Sequence, residues 1–332
     1  AAPSSSSAAS AAHTVGEMFK VVHYASVAYK ASQRVPVLAR LVELGTSSVA
    51  TLLRCGSGAF VAMGLEKCRR PEKMLKLYEF EGCPYCRKVR EAITVLDLDV
   101  EVRPCPKETI KAMGQFSDVS RFRKEVAALG GKQSYPFLVD ANTGRKMNES
   151  EDIIAYLWET YGEGATAPRS YLLGRKFDRM PLMMLPTLFR PCLEHGMLRI
   201  PSKPPKEPLE LWGCEGSPFV RLVREALCVL ELPFVLRNVG HGSVAKRAEF
   251  REKYMDKLSL PRKAAGAIQM PFLRDPNTGT ELLESADIVK YLYATYQDGE
   301  MPQESWLDFC GVKKPAAEAA AAAAANGHTK AD

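Results

Sequence analysis

The chain repeats itself. Residues 77–98, LYEFEGCPYCRKVREAITVLDL, align without gaps with residues 211–232, LWGCEGSPFVRLVREALCVLEL, 134 positions later. YPFLVDANTG (135–144) returns as MPFLRDPNTG (270–279), and NESEDIIAYLWETY (148–161) as LESADIVKYLYATY (283–296), both 135 positions on. Three blocks in one order, with a slip of one residue, mean two copies of one folding unit. A fainter echo lies 136 positions apart, Thr51-Leu52-Leu53-Arg54 against Thr187-Leu188-Phe189-Arg190, and extends each unit upstream into a helical segment.

Within a unit the pattern reads β-α-β-α-β-β-α. Residues 75–80 and 209–213 are short apolar strands. Each runs into a turn at Gly82 or Gly216, then Pro84 or Pro218 at a helix start, where the missing N–H costs nothing. Val89, Ala92, Ile93 and Leu96 recur at helical spacing. A second strand is expected over 98–103, a charged helical segment over 107–130, a strand over 137–139 and a turn over 140–144. The last helix starts near Ser150. A strand end meeting a helix start is where α/β units carry their sites.

Composition narrows the function. A chain of 332 residues with 46% hydrophobic and 25% charged residues can build two ordinary globular cores. The net charge of +6 is mild and no aromatic-basic cluster appears, which argues against nucleic acid as a partner. Nine cysteines, an odd number in a long chain, point to free thiols in a reducing compartment. The most apolar stretch, Leu41 to Leu65, is interrupted by Glu43 and Arg54; it reads as two amphipathic or buried helices and not as a membrane span. Peripheral contact with a membrane surface stays open. The opening AAPSSSSAASAA, with no acidic residue before Glu17, reads as the edge of an organelle-targeting or disordered leader, and residues 316–332 as a low-complexity tail.

Cys83-Pro84-Tyr85-Cys86 carries the chemistry. The reactive species in thiol exchange is the thiolate, and a helix N-terminus stabilises an anion through unpaired N–H groups. Arg87, Lys88 and Arg90 add positive charge nearby. The spacing lets Cys86 reach the sulfur of Cys83, so Cys83 is expected to be the exposed attacking thiol and Cys86 the buried resolving one. The bland alternative is two idle helix-start thiols. Half a zinc site is the other, but no second pair completes it, and no metal is expected. Pro136 and Pro271 precede strands at matching places, which favours a cis bond in a fixed turn over a trans proline at a strand edge. Glu149-Ser150 and Glu284-Ser285 open the last helices; Ser as N-cap leaves N–H groups able to receive a carboxylate, and plain capping is the alternative. Cys228 reads as core and Cys105 as a neighbour of the site, while Cys55, Cys68, Cys192 and Cys310 carry no readable role.

Each unit resembles the N-terminal, thioredoxin-like domain of glutathione S-transferases, and the first also resembles a glutaredoxin. The residues that carry this are EGCPYCRKVREA (81–92), YPFLVDANTG and NESEDI (148–153), with their second-unit counterparts. The whole resembles tandem proteins of plant and algal plastids. The resemblance implies an α/β fold of two tandem thioredoxin-like domains, each preceded by a helical segment. A leader and the start of the helical region would occupy 1–34, a helical segment 35–71, the first domain 72–162, a helical linker 163–207, the second domain 208–298 and a tail 299–332. It further implies glutathione as cosubstrate, Cys83 attacking disulfides, the Tyr135 backbone beside Pro136 pairing with the cysteinyl part, and Glu149 and Ser150 holding the γ-glutamyl carboxylate. A chloroplast location follows from the same likeness, with cytoplasm the alternative.

The second unit departs from the pattern, with Ser217 and Val220 in place of Cys83 and Cys86. Ser217, beside Pro271, Glu284 and Ser285, is either a decayed site or the hydroxyl with which some transferases hold the glutathione thiolate. No all-helical transferase domain follows either unit. The leading expectation is therefore a glutathione-linked thiol–disulfide oxidoreductase acting on client protein disulfides. Its rivals are a non-catalytic scaffold or assembly subunit within a protein complex, a transferase using Ser217, and an iron–sulfur cluster shared with glutathione, which Pro84 disfavours.

Overall fold

The computed structural model describes residues 36–107, 120–130, 132, 134–180, 182–188, 190, 196–255 and 268–298. The expected leader and tail, and residues 108–119 of the helical segment expected over 107–130, lie outside the described residues.

Strand β1 (Leu75–Glu79) is followed by α2 (Pro84–Val95), β2 (Val100–Pro104), α3 (Arg123–Ala128), β3 (Phe137–Asp140), β4 (Arg145–Met147) and α4 (Ser150–Tyr161). The second unit repeats this as β5 (Leu209–Gly213), α7 (Pro218–Val229), β6 (Phe234–Asn238), α8 (Val244–Phe250), β7 (Phe272–Asp275), β8 (Thr280–Leu283) and α9 (Ser285–Tyr296). In both, the first two strands are parallel, as a helical crossover requires, and the others are added antiparallel. The turn sequences D-A-N-T-G and D-P-N-T-G close the hairpins and anchor the last helices. Asp140 accepts from the Tyr156 and Tyr161 hydroxyls at 2.6 Å, and Asp275 from Tyr291 at 2.7 Å and Tyr296 at 2.5 Å.

The two units share one sheet, ordered β4-β3-β1-β2-β6-β5-β7-β8. At its centre β2 and β6 run antiparallel, pairing Val100 with Leu236, Glu101 with Val235 and Val102 with Phe234. These partners are repeat counterparts taken crosswise, so a pseudo-two-fold axis passes through the Glu101–Val235 pair. The apolar core is likewise continuous: Leu77, Ile93, Leu138 and Ile153 of one unit belong to the same cluster as Leu211, Leu227, Leu273 and Ile288 of the other.

The segments preceding the units cross over. Helix α1 (Pro36–Leu52) packs on α7 of the second unit, and α5 (Arg169–Arg175) on α2 of the first. Beyond α5 come a 3-10 turn (Leu182–Met184) and the short α6 (Leu185–Leu188), which touches α1. Arg54 binds Glu91 at 2.7 Å and Asp178 at 2.8 Å, while its counterpart Arg190 binds Glu225 and, at 2.9 Å, Glu43. The faint upstream echo thus marks a real structural equivalence. The stretch from Leu41 to Leu65 forms one helix and not two. Cys55, Gly56 and Gly58 take left-handed φ values of 55°, 69° and 77°, and such residues terminate a helix. No helix of the described residues is long and apolar enough to cross a membrane.

Candidate functional site

Cys83 caps α2, and its sulfur accepts the backbone N–H of Cys86 at 3.4 Å. The Tyr135–Pro136 bond is cis, and the Cys83 Sγ lies 3.9 Å from the Tyr135 carbonyl oxygen. Burial alone would push the Cys83 thiol up. Hydrogen bonds from the Cys86 thiol and from the backbone N–H groups of Cys86 and Tyr85 outweigh it and hold the thiol below its ordinary value. Burial, and the hydrogen bond and charge of Cys83, push Cys86 well above its own. The two thiols are therefore differentiated: that of Cys83 ionises more readily than usual and that of Cys86 less readily.

Two expectations need correction. Cys83 is not exposed; it retains 4% of its surface, against 0% for Cys86. The segment 196–199 runs along this side, with the Gly82 N–H bonded to the Gly196 carbonyl at 3.2 Å, Lys107 N–H to Met197 at 2.7 Å and Arg199 N–H to Lys107 at 2.7 Å. Met197 sits so close to Gly82 that a β-carbon there would meet its Cγ at 2.6 Å. The linker thus forms a wall beside the cysteine. Nor are the helix cations free to face the thiolate. Lys88 is paired with Glu151, Arg90 with Glu79, Glu81 and Glu215, and the Arg87 guanidinium, pushed down to about 10 by burial and by Arg221, donates to Thr187.

Glu149, not Ser150, occupies the cap position of α4, at φ 65° and with no side-chain capping bond; Ser150 is the first helical residue. The same holds for Glu284 and Ser285 at α9. These first turns supply backbone N–H groups suited to a carboxylate. The cis peptide brings the Tyr135 backbone, which suits an extended peptide, to the cysteine. That donor set fits a glutathione-like ligand. Each helix start also meets an arginine from the crossed-over segment, unseen in the sequence. Arg40 donates to the Ser285 hydroxyl at 2.7 Å, and its counterpart Arg175 pairs with Glu151.

In the second unit Ser217 caps α7, accepting the Val220 N–H at 3.4 Å, and Met270–Pro271 is cis. Ser217 lines a cavity of about 720 Å³ together with Cys214, His241, Arg247, Arg251 and Met270. Cys228 is buried in the core between Glu81 and Gly196, as its helical position suggested. Cys105 is buried with a raised thiol, from burial above all. Among the described residues no cluster of three or more His, Cys, Asp and Glu is arranged to hold a metal ion.

Two residues at the first site escaped the sequence reading. Lys107 lies close enough to Cys83 to feel its charge, although burial and Arg123 depress its own ionisation. Glu79, at the end of β1, is 3% exposed and acts on both cysteines. The repeat carried the signal for Glu79: its counterpart is Gly213, a site-adjacent position at which the two copies differ.

Comparison with known proteins adds one family. The family described as glutathione S-transferase, N-terminal domain, matches the chain twice, over residues 77–165 and 211–300. No curated protein and no solved structure matches it.

Proposed function

Because the chain belongs to the glutathione S-transferase N-terminal domain family through both of its units, we propose that it is a glutathione-linked thiol–disulfide oxidoreductase acting through Cys83. The observation that carries this reading is the cysteine pair at a helix start beside a cis proline, with the Cys83 sulfur accepting the Cys86 N–H at 3.4 Å; the opposed directions in which the two thiols are shifted, Cys83 down and Cys86 up, support it. In the reaction the Cys83 thiolate attacks one sulfur of a substrate mixed disulfide. The new Cys83 disulfide forms as the substrate S–S bond breaks, and the departing thiolate takes a proton from solvent. A second thiol, from Cys86 or from glutathione, then displaces the group held on Cys83. The Tyr135 backbone and the first turn of α4 would hold the glutathione part. In this reading the second unit, lacking both cysteines, performs no exchange.

The test is glutathione-dependent reduction of a small mixed disulfide. Cys83→Ser is expected to abolish turnover and Cys86→Ser to keep part of it, since a monothiol step needs the first cysteine alone. The 4% exposure of Cys83 beside the linker wall favours a second reading, a non-catalytic scaffold built on these folds. A folded wild type with free Cys83 and no turnover is the outcome that selects it.

A further inference from the structure

The wall beside the first cysteine has a twin. Segment 196–199 runs along the first site, and segment 58–61 runs along the second through the same hydrogen bonds. Gly82 donates to the Gly196 carbonyl at 3.2 Å, and Gly216 to that of Gly58 at 3.0 Å. Lys107 donates to Met197 at 2.7 Å, and its repeat counterpart His241 to Ala59 at 2.8 Å. Arg199 donates to Lys107 at 2.7 Å, and Val61 to His241 at 2.9 Å. Met197 and Ala59 therefore hold equivalent places, at an offset of 138 positions that no block of the repeat announces.

The side chains at those places differ as the two sites differ. A β-carbon on Gly82, next to Cys83, would meet the Met197 Cγ at 2.6 Å and its Sδ at 3.4 Å. One on Gly216, next to Ser217, would meet the Ala59 β-carbon at 2.7 Å, where that side chain ends. Cys83 is 4% exposed, while Ser217 is half-buried and lines the cavity of about 720 Å³ together with Ala59. A second exchange works in the same direction: Phe80 of the first unit answers to Cys214, which also lines that cavity. Tyr135 against Met270, and Lys107 against His241, are bulky in both units and do not account for the difference. Phe80 is fixed within its own unit, its ring edge-on to Tyr135 at 6.4 Å and under Lys107. Met197 arrives from the linker and is half-buried, and an unbranched side chain with three rotatable bonds makes it the adaptable part of the cover.

We propose that Met197 decides which disulfides reach Cys83: slender groups pass it and bulky ones do not, whereas Ala59 leaves the equivalent place in the second unit open to both. This rests on the reading of Cys83 as the attacking thiol. Exchange rates depend on access to the attacking sulfur as well as on its ionisation, so a side chain at the mouth of the site selects among substrates of equal intrinsic reactivity.

The test uses Cys86→Ser protein as the parent, so that a disulfide formed at Cys83 persists. Methyl methanethiosulfonate is the slender probe: the Cys83 thiolate takes its methylthio group and methanesulfinate leaves. Dithiobisnitrobenzoate is the bulky one: one thionitrobenzoate becomes bonded to Cys83 and the other leaves as a thiolate. Mass spectrometry of the peptide that contains Cys83 follows each reaction among the other cysteines, and each rate is divided by that of free cysteine. In the parent the bulky probe should be disfavoured about tenfold or more relative to the slender one. Met197→Ala should remove most of that preference with little change in the slender-probe rate, and Met197→Leu, which keeps the bulk, should preserve it. In the second unit the thiol of Ser217→Cys should take both probes, and adding Ala59→Met should slow the bulky one alone; this pair decides the question should Met197→Ala fail to fold. An equal preference in the parent and in folded Met197→Ala overturns the proposal, as does a parent that takes both probes alike. Preference lost in Met197→Ala, with no glutathione-dependent turnover when Cys86 is present in wild type or variant, upholds the access rule and overturns the redox reading instead.

Discussion

Glu79 and Glu215 sit in one network and shift in opposite directions, which makes stability depend on pH in a definite way. The folded chain raises Glu79 from 4.5 to about 7 and so binds its proton more tightly than the unfolded chain. That stabilisation is complete below pH 4.5 and is lost as pH rises through about 7. Burial pushes Glu215 up too, but Arg224, Arg90 and Arg221 outweigh it and hold it at about 2. Its stabilisation is present above 4.5 and is lost as pH falls toward about 2. Urea midpoints measured across the range from 4.5 to 7 should therefore fall with rising pH in the wild type and stay flatter in Glu79→Gln; a parallel fall in both would remove Glu79 as the source. At this scale the sequence was only partly legible. The cysteines and prolines announce themselves because strand end, turn and helix start are contiguous. Glu79 looks like any strand residue, since the arginine and glutamate that define it arrive from 11 residues on, along α2, and from 136 residues away.

The elements were more legible than their partners. Proline at the first helical position and the short apolar runs before it place α2, α7, β1 and β5 close to their observed limits. Which helix packs on which unit was not legible, because α1 and α5 carry no pattern that distinguishes the unit they precede from the one they cover. The crossing is held by matched arginines. Arg190 is 5% exposed and bridges Glu225 of α7 to Glu43 of α1. Arg190→Ala would leave the Glu225 carboxylate buried and unpaired, and should destabilise the protein by about 3 kcal/mol. Chemical denaturation measures this directly. Replacing both Arg190 and Glu225 with apolar residues should recover much of the loss, because the penalty lies in the unpaired charge.

Across the whole molecule, the joined sheet and continuous core predict that the two units unfold together. Calorimetry should give one transition whose van't Hoff and calorimetric enthalpies agree; two separable transitions would mean that the β2–β6 seam and the crossed helices contribute little to coupling. The repeat made the duplication plain but not the seam, since β2 and β6 look like ordinary strands and an edge does not reveal which other edge will cover it.

The pseudo-two-fold axis has a consequence for how such a molecule can change over time. Were the halves two identical polypeptides related by a true axis, every substitution near that axis would appear twice. A glutamate at position 79 would then be doubled, setting a second buried carboxylate where Val220 now packs over Gly213, among acids that already oppose one another. A single chain escapes that doubling, because each half inherits its own substitutions. One half keeps a buried acid at the end of its first strand while the other lends the compensating charges and closes its own copy with valine. Fusion of the halves is what allows the centre of this protein to be lopsided.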